Sequence, residues 1–314
     1  DSTNASSGSS ISINADEMFT DRDKEIGYDE STSVKITLAD QASSSDSSSV
    51  SIENDTITIH DEGTYILSGS LSNGQIIVDA DDSEKVQLVL NGAIINCDTS
   101  AAIYVRSADK VFLTLAPDSE NSLSVKNDYI AIDDNNVDAV IFSKSDLTLN
   151  GTGSLQVNAA YGHGILSKDD LKITSGNYNV TAASSALSGK DSVRIADGTF
   201  TLKAGSDGIH SENSDDESEG FLYIAGGTFE IHAESDGIDA SSTLQVDGGT
   251  FTIAVDDDAF HSDADLLING GDIDITESYE GLEAQTITMN DGTVTLCATD
   301  DGLNAAGGND QSGF

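Results

Sequence analysis

Residues 198–202 read GTFTL, and the pattern returns as GTFEI at 227–231, GTFTI at 249–253, GDIDI at 271–275 and GTVTL at 292–296. GNYNV at 176–180 is an earlier copy, and the first glycines of the six are separated by 22, 29, 22, 22 and 21 residues. The long interval holds an insertion, SENSDDESEG, at 211–220. A second motif keeps the same phase: SDGIH at 206–210, SDGID at 235–239, DDAFH at 257–261, YEGLE at 279–283 and DDGLN at 300–304. Self-similarity at a fixed period of this size signals a solenoid. Each repeat holds short alternating runs such as FTIAV, split by Gly and Asp turns, with no room for a helix. That removes leucine-rich and helical solenoids, and the nine-residue units of a calcium β-roll do not match. The fold class expected is all-β, a right-handed parallel β-helix with one coil per repeat.

Alternation assigns the inside. Phe200, Phe229, Phe251, Ile273 and Val294 form one inward column, and Leu202, Ile231, Ile253, Ile275 and Leu296 the next. Thr201, Glu230, Thr252, Asp274 and Thr295, between them, face outward. Glycine is abundant (29) and proline almost absent (1), as ladders that need every N–H require. Earlier stretches such as LTLNGTGSLQV (147–157) and VFLTLAP (111–117) share the style. The expected organisation is a Ser-rich tether at 1–15, a cap segment at 16–49 and the β-helix from 50 to 314. Cys97 and Cys297 then lie many coils apart, too far for a disulfide, whose Cα atoms must come within about 7 Å.

Charge excludes some partners. The chain carries 56 acidic and 13 basic residues, a net −43. Nucleic-acid binding needs Lys and Arg to neutralise phosphates, so that partner is excluded. No apolar run is long enough to span a membrane. All 13 basic residues lie in 1–203, while 204–314 holds 25 acids and none.

Stacking the second motif places those acids. Asp207, Asp236, Asp258, Glu280 and Asp301 fall in one column; His210, Asp239, His261, Glu283 and Asn304 fall in another. Neighbours in a column are about 4.8 Å apart. Two carboxylates at that distance repel by roughly 3 kcal/mol at an effective dielectric near 20. A hard cation relieves this. Calcium takes oxygen at about 2.3–2.6 Å, which fits between two coils. The candidate ligands are Asp207, Asp236, Asp239, Asp257, Asp258, Glu280, Glu283, Asp300 and Asp301. An isolated Asp-Gly is ordinarily a turn, but Ala259 follows an acid here and Glu280 replaces Asp, which a plain turn does not require. A further column, Lys172, Arg194, Tyr223 and Gln245, is expected to face outward, where cations could pair with carboxylates and Tyr223 could stack on a sugar.

The Ser-rich start, MFTDRDKEIGYDE (18–30), VQLVLNGAIINCDTSAAIYVRSADKV (86–111) and the GGTF…DGID coils together resemble the clostridial cellulose- and acid-sugar-binding β-helix family. The resemblance spans essentially the whole chain. It implies a fold similar to pectate-type polysaccharide lyases, bound calcium, and a bacterial protein outside the cell or on its surface; a monomer is expected. It also implies binding of plant cell-wall polysaccharide, cellulose or polygalacturonate, by the 50–314 domain. Two alternatives stay open. One is a calcium-dependent lyase, which needs a base beside the metal; Lys190, Arg194 and Lys203 lie near Asp207, and His210 and His261 are further candidates. The other is a purely structural solenoid.

Overall fold

The computed structural model describes residues 11–305. Apart from a 3-10 turn at Ala15–Glu17 and one helical turn at Asp21–Lys24, its regular structure is β. The strands form one large, mostly parallel sheet arranged as three stacks. In the first stack, Glu120–Val125, Ser154–Ala159, Asn177–Ala182, Thr199–Ala204, Thr228–Ala233, Thr250–Val255, Asp272–Ser278 and Thr293–Ala298 pair in that order. The second runs through Ala139–Ser143, His163–Ser167, Leu187–Gly189, Ile209–Ser211 and Ile238–Ala240 to the start of Phe260–Ile268. The third includes Lys110–Leu115, Asp146–Gly151, Asp170–Ile173, Ser192–Ile195, Phe221–Ile224 and Leu244–Val246. Each strand therefore pairs with its counterpart one repeat on. The antiparallel exceptions, Val34–Leu38 with Ser44–Ser45 and Val50–Glu53 with Thr56–Ile59, lie at the N-terminal end.

The register matches the motif alignment: Phe200 pairs with Phe229, Phe229 with Phe251, Phe251 with Ile273 and Ile273 with Val294. The buried faces of the stacks share one core. Within it the rings of Tyr178, Phe200, Phe229 and Phe251 stack with centroid separations of 5.4, 4.8 and 4.7 Å. Such contacts add to burial, since each fully buried large apolar side chain contributes about 1.5–3 kcal/mol. The repeat glycines are required by the backbone. Gly249 has φ +117°, and a Cβ there would meet the Phe251 ring at 3.0 Å and the Gly227 carbonyl at 3.2 Å. Both cysteines are free, Cys97 buried and Cys297 exposed.

The N-terminal segment departs from expectation. Residues 1–10 lie outside the described residues, as do 306–314. Residues 11–25, expected as tether and cap, instead lie along the outer face of the third stack. The Ile11 backbone N–H donates to Thr243 at 2.8 Å. Met18 is buried with Phe221 and Tyr223, and Ile11, Ile13 and Phe19 pack on them. Asp23 is fully buried, 2.7 Å from the Lys110 ammonium, and accepts from the Thr148 hydroxyl at 2.9 Å. Burial alone would raise the Asp23 carboxyl, but the Lys110 bond and the Thr20 donors hold it down at about 2. This segment is a strap bonded to the side of the stack.

Candidate functional site

Chains leaving the first stack turn and enter the second at Ile209, Ile238, Phe260, Leu282 and Leu303. These five stand in register. The acid two positions before each is stacked with them, which brings Asp207, Asp236, Asp258, Glu280 and Asp301 into one column, as expected. Asp207, Asp258 and Glu280 are buried. The acids lean along the column: the Asp258 backbone N–H donates to Asp236 Oδ1 at 2.8 Å, and the Asp236 N–H to Asp207 Oδ1 at 3.4 Å. Asp207 also accepts from Ser185 and Ser206, both at 3.2 Å. Asp258 Oδ1 and Glu280 Oε2 are buried without any hydrogen-bond partner. A buried carboxylate oxygen with no donor is costly.

The electrostatics follow. Burial, then Asp239 and Asp257, raise Asp236 to about 7, against the pull of the Asp258 N–H and of His261. Burial raises Asp258 to about 9, helped by a hydrogen bond with Glu283 and by the charges of Asp236 and Asp257. Burial also raises Glu280, with Glu283, Asp301 and Asp300 adding to it and Asn304 opposing. Burial and neighbouring charge thus favour the protonated form of Asp258 at neutral pH when no cation is bound.

The second column behaves differently from the expected ligand ladder. Asp239 sits between two imidazoles, 2.7 Å from His261 Nδ1 and 3.4 Å from His210 Nε2. Burial would lower His261, but Asp239, Asp236 and Asp263 raise it to about 10. The imidazole of His261 is therefore favoured in its charged form beside Asp239. Glu283 joins Asp258 and His261 in one constellation. Asn304 donates to Glu280 at 3.2 Å and to Glu283 at 3.4 Å.

Of the candidate ligands, Asp236, Asp257 and Asp258 converge as an all-oxygen set whose donor atoms lie within 4.8 Å of one another. Asp207 and Asp239 converge with His210, and Asp236 and Asp239 with His261, as mixed sets. Among the described residues Asp300 and Asp301 join no such set, and Asp300 instead raises Tyr279 through a hydrogen bond. The all-oxygen set, to which Asp258 belongs, has the donor chemistry of a hard cation. Sequence reading missed a second acidic group, Asp146, Asp169 and Asp170. Asp170 is already taken by Lys172 and Arg194, each at 3.0 Å.

The expected outward column requires correction. Lys172, Arg194, Tyr223 and Gln245 do stand in register. They do not form an open sugar-binding face. Lys172, Tyr223 and Gln245 are buried. Phe19 of the strap packs on Tyr223, with ring centroids 6.1 Å apart. The Tyr223 hydroxyl donates to Asp247 at 2.7 Å, as the Gln245 amide does at 2.8 Å. Lys172 and Arg194 spend their charge on Asp170. The partners that cover this face come from more than 100 positions away, so no periodic signal announces them.

The fold and these sites can be set beside known proteins. The model of a family described as carbohydrate-binding domain-containing protein matches residues 53–310, and the chain belongs to that family. A carbohydrate-binding domain-containing protein of Acetivibrio thermocellus is 40% identical over 135 residues, 42% of this chain and 47% of that relative. The chain thus spans about half the length of the curated relative it matches. A solved structure, described as the polysaccharide lyase-like protein from C. thermocellum in a gadolinium derivative, aligns with a TM-score of 0.67 at 30% identity. It covers 87% of this chain and 96% of that one.

Proposed function

We propose that this protein is a non-catalytic, extracellular carbohydrate-binding protein that holds calcium and takes plant cell-wall polysaccharide, cellulose or polygalacturonate-type acidic chains. Its coils wind as a right-handed parallel β-helix, the hand that parallel β crossovers adopt. Family membership over 53–310 supports the carbohydrate reading. The observation that carries the cation is the convergence of Asp236, Asp257 and Asp258, one of which, Asp258, also has a buried oxygen with no hydrogen-bond partner. These three residues would hold the ion, which would supply positive charge to the column and a contact for anionic sugar groups. Monomeric action outside the cell belongs to the same proposal.

One arrangement favours a lyase. Asp207, His210 and Asp239 converge near His163 and Lys190, so acids and bases meet at one place. One experiment separates the two readings. The protein is incubated with polygalacturonate and with cellulose, with calcium or with EGTA, and both bound protein and unsaturated product are measured. Binding without product supports the proposal. Accumulating unsaturated product replaces it with the lyase, and binding to neither polymer overturns both.

A further inference from the structure

Thirteen Lys and Arg stand against 56 acids, so the places where cations gather are few. One gathering is built by the register of the second stack. Val105, Ser143, Ser167 and Gly189 are partners on successive coils. The residues that follow them are Arg106, Lys144, Lys168 and Lys190. Four cations therefore stand in a line along the stack, about 4.8 Å from coil to coil. Arg106 is neutralised by Asp79 at 3.2 Å and Asp133 at 3.1 Å. Lys144 and Lys168 are exposed and make no ion pair among the described residues. Among the described residues Lys190 pairs with Asp215 at 2.6 Å, with the charge of Asp191 nearby. Beside the line lies a cleft of about 270 Å³, lined by His163, Lys168, Ser188, Lys190, His210 and Glu212 among others. His163 Nδ1 is buried there without a hydrogen-bond partner.

We propose that Lys144, Lys168 and Lys190, with the adjoining cleft, form the subsite that reads the carboxylates of a uronate-bearing polysaccharide laid along the coil axis. The inference rests on the carbohydrate-binding reading and narrows it to an acidic chain on this face. Charge is the first argument. A net −43 repels an anionic polymer from most of the surface, so an acidic chain must dock where cations are aligned. Periodicity is the second. A polymer with one carboxylate per sugar presents charge repeatedly along its length, and the lysines repeat along one axis, so contacts multiply without any single tight pocket. Lys–carboxylate bonds are charge-assisted. The Ser188 hydroxyl and the imidazoles of His163 and His210 offer hydrogen bonds to sugar hydroxyls. Asp215 is the third argument. It comes from the 211–220 insertion, its side chain is 78% exposed, and it supplies Lys190 with the kind of group the ligand would bring. An exposed pair of this kind holds weakly, so a sugar carboxylate can displace it.

The test uses the full chain and four probes: polygalacturonate, its methyl ester, cellulose and double-stranded DNA, each at low salt with calcium and with EGTA. The variants are Lys144→Gln with Lys168→Gln, Lys190→Gln alone, and Asp215→Asn. The double variant is expected to bind polygalacturonate about tenfold more weakly. Lys190→Gln should also weaken it, and Asp215→Asn should strengthen it. Cellulose binding and thermal unfolding should not change in any variant. Methyl esterification should remove the lysine dependence. Polygalacturonate binding that ignores the lysines, or that depends on calcium alone, overturns the inference and leaves the carbohydrate reading intact; so does binding to cellulose only. DNA bound as tightly as polygalacturonate overturns it in favour of a general anion patch. Binding to no polysaccharide removes both the inference and the reading beneath it.

Discussion

Asp258 concentrates the physics of the site in one side chain. Its column was legible from the repeat phase alone, because VDDDAFH (255–261) aligns with SDGID (235–239) and YEGLE (279–283). The role of His261 was not legible, since spacing places it in a column without saying that its ring turns to Asp239. Asp258 is raised to about 9, above the usual carboxylate value near 4. An acid shifted this way binds more protons folded than unfolded. Its stabilising share is complete below about pH 4 and is lost as pH climbs to about 9. Asp236, raised to about 7, does the same over a narrower window. Asp258→Asn cannot ionise. The metal-free variant should therefore lose stability less steeply as pH rises, with a Tm at pH 8 equal to or above that of the parent. In calcium the order reverses, because stabilisation by a ligand grows with concentration over Kd and the variant lacks one ligand charge. Calcium titration of both proteins by calorimetry checks this. Identical isotherms would return the three aspartates to an acidic turn.

Among elements, the strands were the most legible and the strap the least. Alternation alone identified Phe200, Phe229 and Phe251 as one inward column, because a period of two has a single buried solution. Tyr178 extends that column one coil earlier and is stacked on Phe200. Phe229 lies in mid-ladder with a ring on each side. Phe229→Ala should cost about 3–5 kcal/mol in chemical unfolding, and Phe229→Leu clearly less. A negligible loss in Phe229→Leu would mean that the ladder contributes nothing beyond bulk, and equal losses would mean that retained bulk rescues nothing. The strap has no periodicity to read. Its key residue, Asp23, takes its partners from Lys110, Thr148 and Thr174, each in a different coil. Asp23 is held at about 2, so its contribution is present above the unfolded value near 4 and is lost as pH falls through 2. Asp23→Asn leaves the buried Lys110 ammonium with only the more distant Asp146 carboxylate, at 3.7 Å, so the loss should fall below the figure of about 3–5 kcal/mol for a fully broken buried pair. The strap should then release. Limited proteolysis should cut within residues 11–33 faster than in the parent, and Tyr223 should become accessible. Unchanged cleavage would show that the apolar contacts of Met18 and Phe19 hold the strap without it.

At the scale of the whole molecule, charge is divided along the stack. Residues 204–314 contain 25 acids and no Lys or Arg, so histidines are the positive side chains available there. His261 is such a group, raised to about 10; its share is full below the ordinary value near 6.5 and is lost as pH rises through 10. In the C-terminal stacks each strand pairs with its counterparts one repeat before and after, so a charge imbalance in the last repeats should destabilise those repeats first. Removing calcium with EGTA near neutral pH and low salt should lower the Tm, with amide exchange rising in 236–283 before it rises in 139–195. Lowering the pH to about 5 should restore part of the loss, because Asp236 and Asp258 then carry protons in place of the ion. Adding monovalent salt should restore part of it as well, by screening the exposed acids but not the buried ones. These two rescues differ in where they act. Acid should slow exchange at the buried column, and salt should act mainly on the exposed faces. If EGTA at low salt leaves both the Tm and the exchange pattern unchanged, protons and His261 alone neutralise the column, and Asp236, Asp257 and Asp258 hold no ion.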